Sequence, residues 1–223
     1  MPYFKDINLL YIHIPKTGGT SIEKYFYKDT RQTISSLYSR NLKPFINYIQ
    51  INNHSLQHCT YLEIYENKEY FGIEFDEKLV ILASVRNPYA RIISDLFHFK
   101  MINKNSSKKD VCQTIIKYLD PENSNNYDNH QIPQYKYISD NEGKLIDKIF
   151  IMSQESLTQD MISLGFKDFD IKALENKNKE VDYFDFLNKR SINLINDYYA
   201  KDFELFGYKT FEFYTENELN APP

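Results

Sequence analysis

The chain has no tryptophan, only two cysteines and no surplus of positive charge, and each shortage removes a class of protein. Cys59 and Cys112 stand far apart, a spacing that suits neither a zinc cluster nor a disulfide framework, so both are expected as free thiols. With a formal net charge of −4, nothing in the balance draws the protein to nucleic acid or to an anionic membrane, and any anion site must be local. No apolar run approaches the roughly 18 residues of a membrane span. The first ten residues, MPYFKDINLL, carry Lys5 and Asp6 and lack the apolar core of a signal peptide. These features predict a soluble, cytoplasmic chain with no nucleic-acid partner and no membrane span.

What is present is a globular composition. Hydrophobic residues make up 42% and aromatic residues 16%, with 19 Tyr and 16 Phe, so the core should be rich in rings. At 223 residues the chain is expected to be a single domain over residues 1–223, since about 150 residues per domain is a soft prior that α/β domains often exceed.

Residues 9–26, LLYIHIPKTGGTSIEKYF, read as a buried strand, a glycine turn and a helix start. Leu9, Leu10, Tyr11, Ile12 and Ile14 form the apolar run, with His13 inside the strand, and Pro15 ends it. Gly18 and Gly19 allow positive φ and close backbone approach, and Thr20 or Ser21 can cap a helix whose Ile22, Tyr25 and Phe26 share a face. Unpaired N–H groups at such a start point at an anion, and Lys16 adds a mobile charge. The lysine precedes the glycines, the reverse of the Walker A order.

A second unit of the same kind follows at residues 79–85, LVILASV. This most hydrophobic stretch reads as a parallel strand that stops at Arg86, with Asn87 capping and Pro88 opening a helix to about residue 102. Other expected helices are 60–66, capped at Thr60 with Glu63 three residues on, then 107–119, 155–164 and 191–206, and a helix-loop-helix over 30–53. Residues 120–129 read as a polar loop, 134–138 as an edge strand, 140–143 as a turn, 148–152 as a third buried strand and 176–180 as a charged loop.

HIPKTGGTS (13–21) together with VRNPYARIISDLFHF (85–99) resembles the paired loops of the sulfotransferases that use 3′-phosphoadenosine-5′-phosphosulfate (PAPS), of the carbohydrate, heparan sulfate 2-O-like type. The resemblance implies a mainly parallel central sheet flanked by helices, with a P-loop-like strand-loop-helix. It also implies PAPS as sulfuryl donor, no required metal, and a glycan or related hydroxyl as acceptor. Lys16, Thr17, Gly18, Gly19, Thr20 and Ser21 would hold the 5′ end of PAPS, and Arg86 and Ser94 its 3′-phosphate, an arginine fork and a serine two turns into the helix suiting that group. HCTYLEI (58–64) resembles the segment whose histidine serves as catalytic base, which points to His58, with His54 as competitor; Lys16 would join it in catalysis. Arg91 can pair instead with Asp95 one turn on. The chain lacks the arginine that the family often carries before Glu155. Two other classes stay open, a P-loop-like kinase or NTPase and a non-catalytic nucleotide-binding module, and the acceptor and oligomeric state are left unassigned.

Overall fold

A computed structural model of the chain describes residues 2–29, 54–123, 125, 127–170 and 182–211. The sequence-based expectations for 30–53 and 176–180 lie outside the described residues. By contacts the chain divides into two compact units, one of Met1–Arg86 with Ser124–Glu180, the other of Asn87–Asn123 with Val181–Pro223.

The first unit holds a four-stranded sheet in the order β1 (Tyr3–Phe4), β2 (Leu9–Ile12), β3 (Val80–Val85), β4 (Ile149–Ser153). β1 and β2 pair antiparallel through a short 3₁₀ turn closed by Asn8 at φ 47°, a left-handed position that asparagine tolerates. β2, β3 and β4 run parallel, with Tyr11 opposite Leu82 and Ser84 opposite Met152. The protein is therefore α/β, with a mostly parallel sheet and flanking helices. Helices α1 (Gly19–Asp29) and α6 (Leu157–Ser163) bury Ile22, Phe26, Leu157 and Met161 with Leu9, Tyr11, Leu82 and Met152 of the sheet. Between β2 and β3 lie α2 (Tyr61–Glu66) and α3 (Lys68–Phe71), and the Thr60–Glu63 capping box at the start of α2 is formed in both directions.

The second unit consists of α4 (Pro88–His98), α5 (Lys108–Tyr118), α7 (Lys189–Tyr198) and α8 (Ala200–Phe206) among the described residues. Asn87 caps α4 by accepting the Tyr89 N–H, and Ser107 caps α5 by accepting that of Asp110. Arg91 is buried, with its guanidinium 5.8 Å from the ring centre of Tyr199, while Asp95 accepts the Tyr118 hydroxyl at 3.3 Å. Cys59 and Cys112 are both buried and not joined in a disulfide, Cys112 among the core residues of α5.

Several expectations need correction. Residues 134–138 are not an edge strand: Gln134–Tyr137 is a 3₁₀ helix, and the buried residues of the stretch, Gln134, Tyr137 and Ile138, recur at helical rather than alternating spacing. The third strand forms, but as the last in the sheet order it leaves Phe150 53% exposed instead of burying both faces. The expected helix 191–206 breaks at Tyr199, whose carbonyl takes the N–H groups of Asp202 and Phe203 and restarts the chain as α8. The helix expected from residue 155 starts at Leu157, because residues 153–156 close a turn through the Ser156 N–H and the Ser153 carbonyl.

Candidate active site

The loop between β2 and α1 is shaped by two left-handed residues, Lys16 at φ 65° and Gly18 at φ 94°. Thr17 is fully buried and anchors the loop from below. Its hydroxyl donates to the Ile14 carbonyl at 2.8 Å, so Ser84 must donate to Thr17 (2.9 Å) and Tyr11 to Ser84 (2.5 Å). That directed chain fastens the loop to β3. The helix begins at Gly19, so Thr20 and Ser21 lie inside its first turn rather than capping it. Ser21 N–H donates to the Gly18 carbonyl at 3.0 Å and is spent, whereas the amides of Gly19 and Thr20 stand ahead of any intrahelical partner. A positive helix end and Lys16 thus meet at one loop.

Gly19 has a second reason to lack a side chain. A Cβ there would come within 2.7 Å of His13 Nε2 and 2.8 Å of Cε1. His13 lies just past β2, not inside a strand, and its Nδ1 meets Glu23 Oε1 at 2.5 Å while Gln57 Nε2 reaches the same carboxylate at 3.4 Å. Burial lowers the His13 pKa against the pull of Glu23, so the ring is neutral and Nδ1–H donates. Burial pushes the Glu23 pKa up, but the contacts from His13 and Gln57 outweigh it and hold the carboxyl below its usual range.

Arg86 follows directly on β3. Its Nη1 donates to the Lys16 carbonyl at 3.2 Å, tying the arginine to the loop between β2 and α1. Its backbone is gripped by Gln134, which is fully buried: Oε1 accepts the Arg86 N–H at 2.8 Å and Nε2 donates to the Arg86 carbonyl at 2.9 Å. A family model described as the sulfotransferase family matches residues 3–209, spanning both loops. The chain belongs to the sulfotransferase family. Searches among curated proteins and among solved structures returned no match.

In this sulfotransferase chain His58 closes a 3₁₀ turn, Leu56–His58, and is buried rather than solvated as a polar-loop histidine would be. Its Nδ1 lies 3.3 Å from the His13 carbonyl oxygen, which can only accept; Nδ1 therefore carries the proton and Nε2 the lone pair. Nε2 is 3.6 Å from Asp128 Oδ2. The His58 ring packs edge-on against His13 and His130, at centroid distances of 5.1 and 4.8 Å. Burial, and then the neighbouring His13 and His130, lower its pKa to about 2, so it is neutral at working pH.

His54 is a different kind of histidine. Nδ1 faces the Ser55 carbonyl oxygen and Nε2 faces Glu63 Oε1, each at 2.9 Å. Burial pulls its pKa down, but these bonds and the charges of Glu63 and Asp128 outweigh it and raise the value overall.

Ser94 sits half-buried on α4 of the second unit, and its link to a 3′-phosphate rests on the resemblance of residues 85–99. Sequence reasoning missed Gln134, Asp128, His130 and the placement of His13. Residues 127–129 are not a slack polar loop but a 3₁₀ turn with φ of 47°, 55° and 65°. Asp128 there accepts Ser55 N–H and, at 2.8 Å, Ser55 Oγ, while Asn129 Nδ2 donates to the His58 carbonyl. The run of Tyr-Asp-Asn, with two residue types that tolerate left-handed backbone, was the available signal.

Proposed function

We propose that the protein transfers a sulfuryl group from PAPS to a hydroxyl of a glycan or related acceptor, the whole chain acting as one catalytic domain. The observation that carries this is the position of His13, whose ring lies against Gly19 of the anion loop and whose carbonyl orients His58. One residue thereby couples the donor loop to the base.

The residues present fit a nucleotide with anionic groups at both its 5′ and 3′ positions. The open amides of Gly19 and Thr20, the ammonium of Lys16 and the guanidinium of Arg86 are the cationic and donor groups. Gly18 shapes the loop, Thr17 holds it through its hydroxyl bond to Ile14, and Ser21 holds it through its N–H to the Gly18 carbonyl. Arg86, with Ser94 on the strength of the resemblance, is assigned to the 3′-phosphate. Bound PAPS supplies an activated sulfuryl group with a nucleotide leaving group.

His58 Nε2 takes the proton of the acceptor hydroxyl as its oxygen attacks sulfur, so that the nucleophile gains charge without becoming a free alkoxide. The imidazolium so formed is disfavoured by burial, and the Asp128 carboxylate 3.6 Å away offsets that cost. Lys16 and the helix amides hold the charge that gathers on the leaving side, and positioning supplies much of the rest.

Calorimetry with 3′,5′-adenosine bisphosphate and ATP, with a chelator present, tests the reading. The bisphosphate should bind far more tightly, and Arg86→Ala should remove most of that preference, roughly ten- to a hundredfold for a lost charge-assisted fork. Magnesium-dependent ATP binding indifferent to the 3′ position would sink the proposal in favour of a kinase.

A further inference from the structure

His58, Asp128 and His130 each offer one ligand atom, the three lying within 4.8 Å of one another, and both imidazoles are more than nine-tenths buried. With the His58 proton on Nδ1 and donated to a backbone carbonyl, the His58 lone pair at Nε2 and the Asp128 Oδ2 face one another across 3.6 Å as two acceptors. A cation between them would join the two. Ligands about 2.0–2.1 Å from a tetrahedral metal stand about 3.4 Å apart, close to the 3.6 Å between His58 Nε2 and Asp128 Oδ2. The surroundings also match a metal site, because a ligating histidine commonly donates its other N–H to a carbonyl and a ligating carboxylate is itself hydrogen-bonded. Here the His13 carbonyl and the backbone and hydroxyl of Ser55 fill those roles.

A second group, His54, Cys59 and Glu63, has comparable spacing but different chemistry. Both ring nitrogens of His54 face acceptors, and Glu63 spends its other oxygen on the Thr60 N–H at 2.7 Å. Both nitrogens of that imidazole are thus already engaged.

We propose that His58, Asp128 and His130 form a binding site for a divalent transition metal of the zinc class, and that the bound metal silences sulfuryl transfer by occupying Nε2 of His58. Two imidazoles and one carboxylate favour zinc, cobalt or nickel over magnesium or calcium. The metal takes the place that the acceptor's proton takes in turnover, so it competes with the base and is no part of the reaction. The site itself goes beyond the sulfotransferase reading, and only the silencing rests on it.

The test uses chelator-treated full-length protein, titrated with Co²⁺ for a visible d–d band and with Zn²⁺ by calorimetry. Wild type should bind one equivalent. His130→Gln and Asp128→Asn, which preserve volume and are checked by thermal melting, should each weaken binding by roughly tenfold or more, and either alone decides. His54→Gln should bind like wild type. Absence of the band and of heat, or binding that survives both ligand variants, overturns the site. The titration needs no turnover, so it reads the site even if the sulfotransferase reading fails. In turnover assays Zn²⁺ should inhibit and chelator restore; metal bound at this site with transfer unaffected would overturn the silencing and with it the role of His58 as base.

Discussion

Gln134 pairs with the backbone of Arg86 as a neighbouring strand would, accepting its N–H at 2.8 Å and donating to its carbonyl at 2.9 Å. The arginine at the end of β3 is thereby held by a side chain where the sheet ladder has stopped.

Gln134→Leu should leave both Arg86 backbone groups without that partner, at a cost of about 1–3 kcal/mol. The melting temperature should fall by about 2–10 °C, and binding of the adenosine bisphosphate should weaken. A thermal melt beside calorimetry measures both. An unchanged melting temperature with full binding would show that the pairing contributes nothing.

Gly19→Ala should be costly although Gly19 needs no left-handed backbone, because its Cβ would meet His13 Nε2 at 2.7 Å. The His13 ring is pinned by Glu23 and cannot simply swing aside. Overpacking of this kind costs about 1–3 kcal/mol. Adding His13→Ala to Gly19→Ala should recover part of the lost stability, a coupling that a double-mutant cycle reads directly. Strict additivity of the two changes would refute the contact.

His58→Ala should lower kcat by roughly 10²- to 10⁴-fold with bisphosphate binding unchanged, and Asp128→Asn should lower kcat in the same sense. Because the His58 pKa sits near 2, the kcat/KM profile should show no acidic limb from this residue at the ordinary 6.5 of a solvated histidine. A limb at 6.5 that disappears in His58→Ala would contradict the burial argument. Loss of turnover in His54→Ala with full turnover in His58→Ala would move the base to His54.

The His54–Glu63 pair should give the fold a pH dependence of its own. The His54 pKa is raised in the folded state, so its contribution is complete below the ordinary 6.5 and fades as pH climbs through the higher folded value. For Glu63, burial raises the pKa but the bonds from His54 and Thr60 outweigh it, so the folded value lies below the ordinary 4.5. Its contribution is complete above 4.5 and is lost as pH falls through the folded value. Both act together between 4.5 and 6.5, where His54→Gln should destabilise by about 1.5–3 kcal/mol. Denaturant melts at several pH values check this; an equal penalty well above the folded pKa of His54 would show that charge plays no part.

The sequence by itself determined the two strand-turn-helix units, because their signals are short-range. An apolar run at 79–85 needs cover on both faces, Asn87-Pro88 starts a helix by capping and fixed φ, and Thr60 with Glu63 closes a capping box within one turn. Lys16, Gly18 and Gly19 were legible for the same reason. The edge strand expected at 134–138 failed because alternation in QYKYI is too short to exclude a 3₁₀ helix, and because Gln134 meets Arg86, a residue far away in the chain.

Only the tertiary structure decided what surrounds the candidate base. His13, His58, Asp128 and His130 come from three separate stretches, and their meeting depends on how β2, the 3₁₀ turn at 56–58 and the turn at 127–129 pack around one buried point. Burial is what turns His58 neutral, while hydrogen bonds to Glu63 and Ser55 raise the His54 pKa. Two histidines four residues apart thus acquire opposite chemistry, since solvation and hydrogen-bond partners are properties of the fold and have no local signature in the chain.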